Sequence, residues 1–207
     1  MNKRSEIVHR ISKVKEGVLF DCDTFISTGM KRSDITAVFC ELKKAGAIRS
    51  LMRGVFYKPE ISSYGFGELP VDKEELIRYF TKKHNAHISG QYGYNLLGLT
   101  EQNAQTVTLA GERPFKEFCA QKCFFDYMKS GVGYLTNPKD VPLAILLDAL
   151  TNIDNVSGKT GKEILAKARS MMARMDKPQL ERLTEMALNY YPKHVKHTLG
   201  ILLASVS

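Results

Sequence analysis

The chain has 207 residues, of which 43% are hydrophobic and 25% charged. These ordinary globular proportions exclude a disordered, collagen-like or low-complexity protein, and the length suits one large domain or two modest ones. No apolar run reaches the ~20 residues that span a bilayer, and the basic N-terminal segment lacks the apolar core of a secretion signal. We therefore expect a cytoplasmic protein that does not act on a membrane.

Basic residues are concentrated near the N-terminus. Residues 1–60 hold 12 Lys+Arg against 7 Asp+Glu, which accounts for most of the net charge of +8. The four cysteines form no CxxC pair and are too sparse for a disulfide framework, so we expect reduced thiols. The charge asymmetry makes residues 1–60 the segment in which we expect contact with nucleic acid.

The same 60 residues predict a winged helix-turn-helix. Apolar periodicity predicts a helix over 5–15, an apolar strand over 18–20 and a brief second helix that Gly29 ends. A third helix begins at its cap, Ser33. It presents one apolar stripe, formed by Ile35, Val38, Phe39 and Leu42. Two β-prone runs around the turn former Gly54 complete a hairpin, and this order of elements is typical of a winged helix.

The domain boundary is predicted at residues 61–70, which are rich in turn formers and indicate a linker. It would separate the winged helix of residues 1–60 from a second domain of residues 71–207. Several helical periodicities and a strand over 106–109 predict that this second domain is larger and helix-rich α/β, while 115–133 are ambiguous. The predicted fold class of the whole chain is α+β, mostly helical.

The third helix and the hairpin supply the candidate DNA-binding residues. Recognition helices place their N-terminal residues against the edges of the nucleobases, whereas Lys and Arg side chains at the periphery contact phosphates. The candidates are Lys31, Arg32, Ser33, Thr36 and Lys44 on the helix, and Arg49, Arg53 and Lys58 on the hairpin. Asp34 is unfavourable beside a phosphate, although an anion at a helix N-terminus is stabilised by the macrodipole. The alternative hypothesis is a winged helix that serves as a protein-interaction or ligand-sensing module and is not used on DNA.

Three segments resemble a known family. GAIRSLMRGVFY (Gly46–Tyr57) is similar to the end of the winged helix in AbiEi-type antitoxins of type IV toxin-antitoxin systems. His87–Gly90, followed by Tyr94–Leu99, resembles that family's entry into its second domain. Tyr190–Pro192 together with Leu199–Leu203 resembles its closing helix. The resemblance is spread over most of the chain, in short pieces.

The resemblance implies a transcriptional regulator whose winged helix binds repeats in its own double-stranded promoter DNA and represses its own operon. It also implies that the C-terminal domain counters a nucleotidyltransferase-like toxin without forming a stable complex with it. Residues 61–207 have a net charge of only +3, so the sequence does not predict a charged surface in that part of the chain.

Signals for an enzyme are weak. Gly158–Glu163 has the glycines and lysines of a phosphate-binding loop, but Glu163 stands where such a loop needs a hydroxyl, so a turn into a helix is favoured. Pairs of His and of Cys at helical spacing do not assemble into a tetrahedral metal site. The sequence predicts a non-enzyme without cofactor or metal; a nucleic-acid-processing enzyme would require scattered polar residues to converge in space.

Overall fold

The computed structural model describes residues 3–205, without the side chain of Lys3. The helices are α1 (Lys3–Ser12), α2 (Arg32–Lys44), α3 (Lys73–Lys83), α4 (Gly90–Leu96), α5 (Asp140–Thr151), α6 (Gly161–Met172), α7 (Lys177–Tyr190) and α8 (Lys193–Ala204), with 3₁₀ turns over Cys22–Thr28 and Ile153–Asn155. The strands are β1 (Leu19–Phe20), β2 (Arg49–Met52), β3 (Val55–Tyr57), β4 (Glu60–Ile61), β5 (Glu68–Leu69), β6 (Ala86–Ser89), β7 (Thr106–Gly111), β8 (Phe118–Ala120) and β9 (Cys123–Lys129). The predicted fold class, α+β and mostly helical, is confirmed.

The chain forms two compact units. Unit 1 comprises the residues up to Tyr79 together with Ala120–Lys122, and unit 2 comprises Phe80–Cys119 and the chain from Cys123 onward. Unit 1 therefore extends past the predicted linker, into α3.

Unit 1 begins with α1, β1, a 3₁₀ turn and α2, followed by the β2–β3 hairpin. Strand β3 lies between β1 and β2 and pairs antiparallel with both. The aromatic rings of Phe20, Phe25, Phe39 and Phe56 pack on one another, with centroids 5.0–6.4 Å apart. Edge-to-face pairs of this kind are favourable, so these rings fix α2 against the small sheet.

The start of α2 differs from the prediction. Lys31 is the N-cap residue and makes no side-chain capping bond, and Ser33 lies inside the first turn. Asp34 also lies in the first turn, where its charge is favourable to the helix dipole. The 3₁₀ turn before α2 is capped instead by Asp21, in a reciprocal arrangement with Thr24, and ends at Gly29 with φ +71.

Residues 60–69 are not a bare linker. They contain a second hairpin, β4–β5, in which Glu60 faces Leu69 and Ile61 faces Glu68. Glycines with positive φ in its turn, Gly65 and Gly67, account for the turn-rich composition that suggested a linker.

Unit 2 is built on a four-stranded sheet in the order β6-β7-β9-β8, in which β6 and β7 are antiparallel and β7 and β9 parallel. Helices α5 to α8 contribute most of one continuous apolar core. Strand β6, and the strands β8 and β9 within the ambiguous stretch 115–133, were not predicted.

The Gly158–Glu163 segment is a capped helix start. The Thr160 side chain accepts from the backbone N–H of Glu163, and the Glu163 carboxylate accepts from Thr160, which is a capping box at the beginning of α6. Among residues 3–205 no helix has the length and apolarity needed to cross a membrane.

Candidate nucleic-acid interface

Helix α2 has one buried side and one exposed side. Ile35, Val38 and Phe39 are at most 3% exposed, as the apolar stripe predicts. The opposite side is exposed and is formed by small or polar residues: Ser33, Thr36, Ala37, Cys40 and Lys44. We call these five residues the α2 face. Small side chains let the backbone of a helix approach the base edges of a major groove, which is wide enough to admit an α-helix.

The first turn of α2 carries the remaining helix candidates. Lys31 and Arg32 are both exposed, and the Arg32 guanidinium pairs with Asp23 in the preceding 3₁₀ turn. The Thr36 hydroxyl donates to the backbone carbonyl of Arg32 at 2.8 Å and lies 3.4 Å from Sγ of Cys22. Exposed ion pairs contribute little stability, so Arg32 can exchange Asp23 for a phosphate at small cost.

Arg53 occupies the tip of the β2–β3 hairpin. Its side chain is exposed, and the adjacent Gly54 has φ +79, which permits the tight turn. A Cβ atom at Gly54 would meet nothing within 4 Å, so the tip is open. Within the described residues Arg53 has no carboxylate partner, and its guanidinium is available to a phosphate.

Arg49 and Lys58 are placed differently from Arg53. Arg49 is half-buried; its guanidinium donates to Glu68 at 2.9 Å and to the carbonyl of Gly46 at 2.9 Å. Glu68 also accepts from the Tyr57 hydroxyl at 2.9 Å, and burial, followed by this hydrogen bond, raises the pKa of Tyr57. Lys58 donates to the carbonyl of Ser12 at 3.3 Å. Arg49 thus ties the β4–β5 hairpin to the end of α2, and the structure does not bring Arg49 or Lys58 to the open tip of β2–β3.

A second constellation of chemically capable residues lies inside unit 2. The Asp148 carboxylate, at the start of the last turn of α5, accepts four hydrogen bonds: from His87 Nε2 and Ser89 Oγ at 2.7 Å, and from Ser130 Oγ and the Tyr191 hydroxyl at 3.0 Å. His87, Ser89 and Asp148 are each at most 2% exposed. We call this set the Asp148 network.

The Asp148 network is arranged as a structural support. Its four donors converge on one carboxylate, and His87, Ser89 and Asp148 are closed off from solvent. Burial, followed by the charge of Asp148, raises the pKa of Tyr191 well above its ordinary value of 10.0, and the same causes raise that of Tyr94. Both tyrosines therefore remain protonated donors across the physiological range.

None of the candidate sites predicted from the sequence includes Asp148. A signal was nevertheless present, because an Asp inside an apolar helix must find donors elsewhere in the fold. Two of the segments that carry the family resemblance, His87–Gly90 and Tyr190–Pro192, each supply donors to this carboxylate. Among the described residues no cluster of three or more His, Cys, Asp or Glu could hold a metal ion.

The chain was compared with family models, curated proteins and solved structures. No family model matches, and no curated protein matches. The crystal structure of the RV2827C protein from Mycobacterium tuberculosis is similar with a TM-score of 0.48 and 11% sequence identity, over 100% of this chain and 78% of that chain.

Proposed function

We propose that this protein is a DNA-binding transcriptional regulator that acts in the cytoplasm and uses unit 1 as a winged helix-turn-helix. The observation that supports this most is the α2 face, whose side chains are small or polar. The basic side chains of Lys31 and Arg32 lie beside it at the start of the helix, and Arg53 is exposed at the tip of the hairpin that follows. The order of helices and strands in unit 1, with β3 between β1 and β2, also supports the proposal, because helices followed by a small antiparallel sheet are expected of a winged helix. No catalysis is part of the proposal.

In this proposal the elements of unit 1 have separate tasks. The α2 face lies in the major groove, where Ser33 and Thr36 contact base edges and small Ala37 permits close approach. Lys31, Arg32, Lys44 and Arg53 contact phosphates and set the position on the duplex. Arg49 holds the β4–β5 hairpin, and Lys58 holds the connection after α1.

The test of this proposal is a binding titration with DNA from upstream of the protein's own gene and with a scrambled duplex of equal length and composition. Purified protein is expected to bind the upstream DNA more tightly at moderate salt, with affinity that falls steeply as salt rises because phosphate contacts release counterions. Equal affinity for the two duplexes would reject a sequence-specific regulator. Absence of binding to both would favour the protein-interaction module.

The family resemblance supports a second, more specific proposal: the protein represses its own operon and counters a nucleotidyltransferase-like toxin through unit 2, without a stable complex. Co-expression of the toxin with the full chain is expected to restore growth. Variants that abolish DNA binding through the α2 face are expected to restore growth equally well when expressed from an independent promoter. Failure of the full chain to protect would reject the antidote and leave the DNA-binding proposal standing.

A further inference from the structure

The tip of the β4–β5 hairpin exposes aromatic side chains. Tyr64 is 85% and Phe66 84% exposed, and Ile61 on the adjoining strand is 63% exposed. A single exposed apolar residue is ordinary, whereas an exposed apolar patch marks an interaction site. Tyr and Phe are also enriched in protein–protein interfaces. The tip therefore has the composition of a contact surface for another molecule.

The hairpin is held in place at both ends. At the tip, the backbone N–H of Ser62 donates to the carbonyl of Gly67 at 2.8 Å, and that of Tyr64 donates to the hydroxyl of Ser62 at 3.2 Å. At the base, Glu68 accepts hydrogen bonds from side chains of β2 and β3. Because the turn is already ordered, little conformational entropy is lost when its rings are covered.

An open groove of about 930 Å³ lies at the base of the same hairpin, within unit 1. It is lined by residues 14–18, 58, 60, 69–73 and 75. The lining includes the apolar side chains of Val14, Val18 and Leu69, and its three lysines are nearly balanced by four carboxylates. Pockets of roughly 300–1,000 Å³ enclose organic groups. The groove thus offers apolar surface without a strong net charge, at a size that admits aromatic rings.

We propose that this groove receives the hairpin tip of a second copy of the chain, so that the protein forms a two-fold dimer. The rings lie at the tip of the hairpin and the groove lies at its base. Two hairpins that run side by side in opposite directions therefore bring each tip to the groove of the other copy. Such a contact is reciprocal, as a two-fold interface requires.

The area that this contact buries is that of a stable dimer. A buried aromatic side chain contributes about 150–250 Å², each copy supplies Tyr64 and Phe66, and the walls of the two grooves lose a similar area. The interface is therefore on the order of 1,200–2,000 Å², the standard size of a specific protein–protein interface. DNA is a less favourable occupant, because residues 60–69 contain two carboxylates and no Lys or Arg.

Sedimentation velocity of the full chain at increasing concentration, without DNA, tests the proposal independently of the proposed function. Wild type is expected to dimerise with a dissociation constant in the micromolar range or tighter. The double variant Tyr64→Ser/Phe66→Ser changes only exposed side chains and is expected to raise this constant at least about 100-fold, because both rings are lost from two contacts. Leu188→Ser removes an exposed apolar side chain of unit 2 and is the matched control, expected to dimerise like wild type.

Val18→Asp tests the groove side of the contact. Val18 is half-buried, so a carboxylate there reaches water in the monomer and would be covered in the dimer. This variant is expected to raise the dissociation constant at least about tenfold, and circular dichroism checks that each variant is folded. The proposal is overturned if wild type is monomeric at about 100 μM, or if the double variant or a folded Val18→Asp dimerises like wild type. Loss of DNA affinity in the double variant of a monomeric protein would assign the tip to DNA instead.

Discussion

Nε2 of His87 lies 2.7 Å from Oδ2 of Asp148, although 61 residues separate them in the chain. The histidine belongs to β6 and the aspartate to α5, and three hydroxyls complete the set of donors around the same carboxylate. An ionised group is tolerated in an apolar core only when its oxygens are hydrogen-bonded. The carboxylate therefore joins the sheet, the segment after β9 and the end of α7 to the central helix of unit 2.

Asp148→Asn is expected to lower the free energy of unfolding of unit 2 by about 3 kcal/mol, because more than one buried donor loses its acceptor, at about 1–3 kcal/mol for each. The oxygen of the Asn side chain cannot accept from all four donors. Its NH₂ group is itself a donor and would face O–H and N–H groups that are already directed at this position. Urea unfolding monitored by circular dichroism measures the change. Asp154→Asn, on the surface of the same unit, is the control, and a loss for Asp148→Asn no larger than that of the control would show that the network is dispensable.

Tyr191→Phe tests the pH dependence of the same network. The raised pKa of Tyr191 means that the folded state holds this proton more tightly than the unfolded state, whose ordinary pKa is 10.0. The resulting stability is fully present below pH 10 and is lost as the pH rises above it. The variant is expected to be about 1 kcal/mol less stable at neutral pH, from the lost hydrogen bonds to Asp148 and Ala144.

Above pH 10 the stability of Tyr191→Phe is expected to decline less steeply than that of wild type. Unfolding free energies measured at intervals between neutral and strongly alkaline pH provide the comparison. Parallel curves for the two proteins would mean that Tyr191 ionises equally well in the folded state, contrary to its burial beside Asp148.

Two glycines of unit 2 differ in what a side chain would meet. A Cβ atom at Gly90, where φ is +58, would lie 2.5 Å from Oγ1 of Thr108, whereas one at Gly200 in α8 would meet nothing within 4 Å. Gly90→Ala is expected to destabilise by at least about 2 kcal/mol. Gly200→Ala is expected to stabilise by about 0.5–1 kcal/mol, because alanine is the better helix former. Thermal unfolding of the two variants checks both signs, and a neutral Gly90→Ala would contradict the close packing of α4 on β7.

The local elements of unit 1 could be predicted from the sequence, and their long-range partners could not. The stripe of Ile35, Val38 and Phe39 repeats within a single helix, so its buried side follows from spacing alone. The partner of Arg49 is Glu68, 19 residues later in a hairpin hidden by turn-forming composition, and nothing in the spacing of the two residues indicates the pair. In unit 2, β6 was missed because both His87 and Ser89 lie on its covered side and give no apolar alternation.

Arg53 and Arg49 provide a comparison within unit 1. Arg53→Ala is expected to weaken binding to all DNA sequences and to reduce the slope of log affinity against log salt by about 0.9, the value for one phosphate contact. Its stability is expected to match wild type. Arg49→Ala is expected to lose about 1 kcal/mol of stability through the contacts to Glu68 and Gly46 and to leave the salt slope unchanged. An unchanged slope for Arg53→Ala would exclude the hairpin tip from the interface.

The most direct test of the central claim places a negative charge in the middle of the α2 face. Ala37 is exposed within α2, and Ala166 is exposed within α6 of unit 2, so Ala37→Glu and Ala166→Glu are the same substitution in two helices. Fluorescence anisotropy with labelled DNA from upstream of the gene measures their dissociation constants, and circular dichroism checks that both remain folded. If the α2 face lies in the groove, Ala37→Glu will bind at least about 100-fold more weakly than wild type, through steric and like-charge repulsion, and Ala166→Glu will bind normally. Wild-type affinity in a folded Ala37→Glu would contradict recognition of DNA by α2.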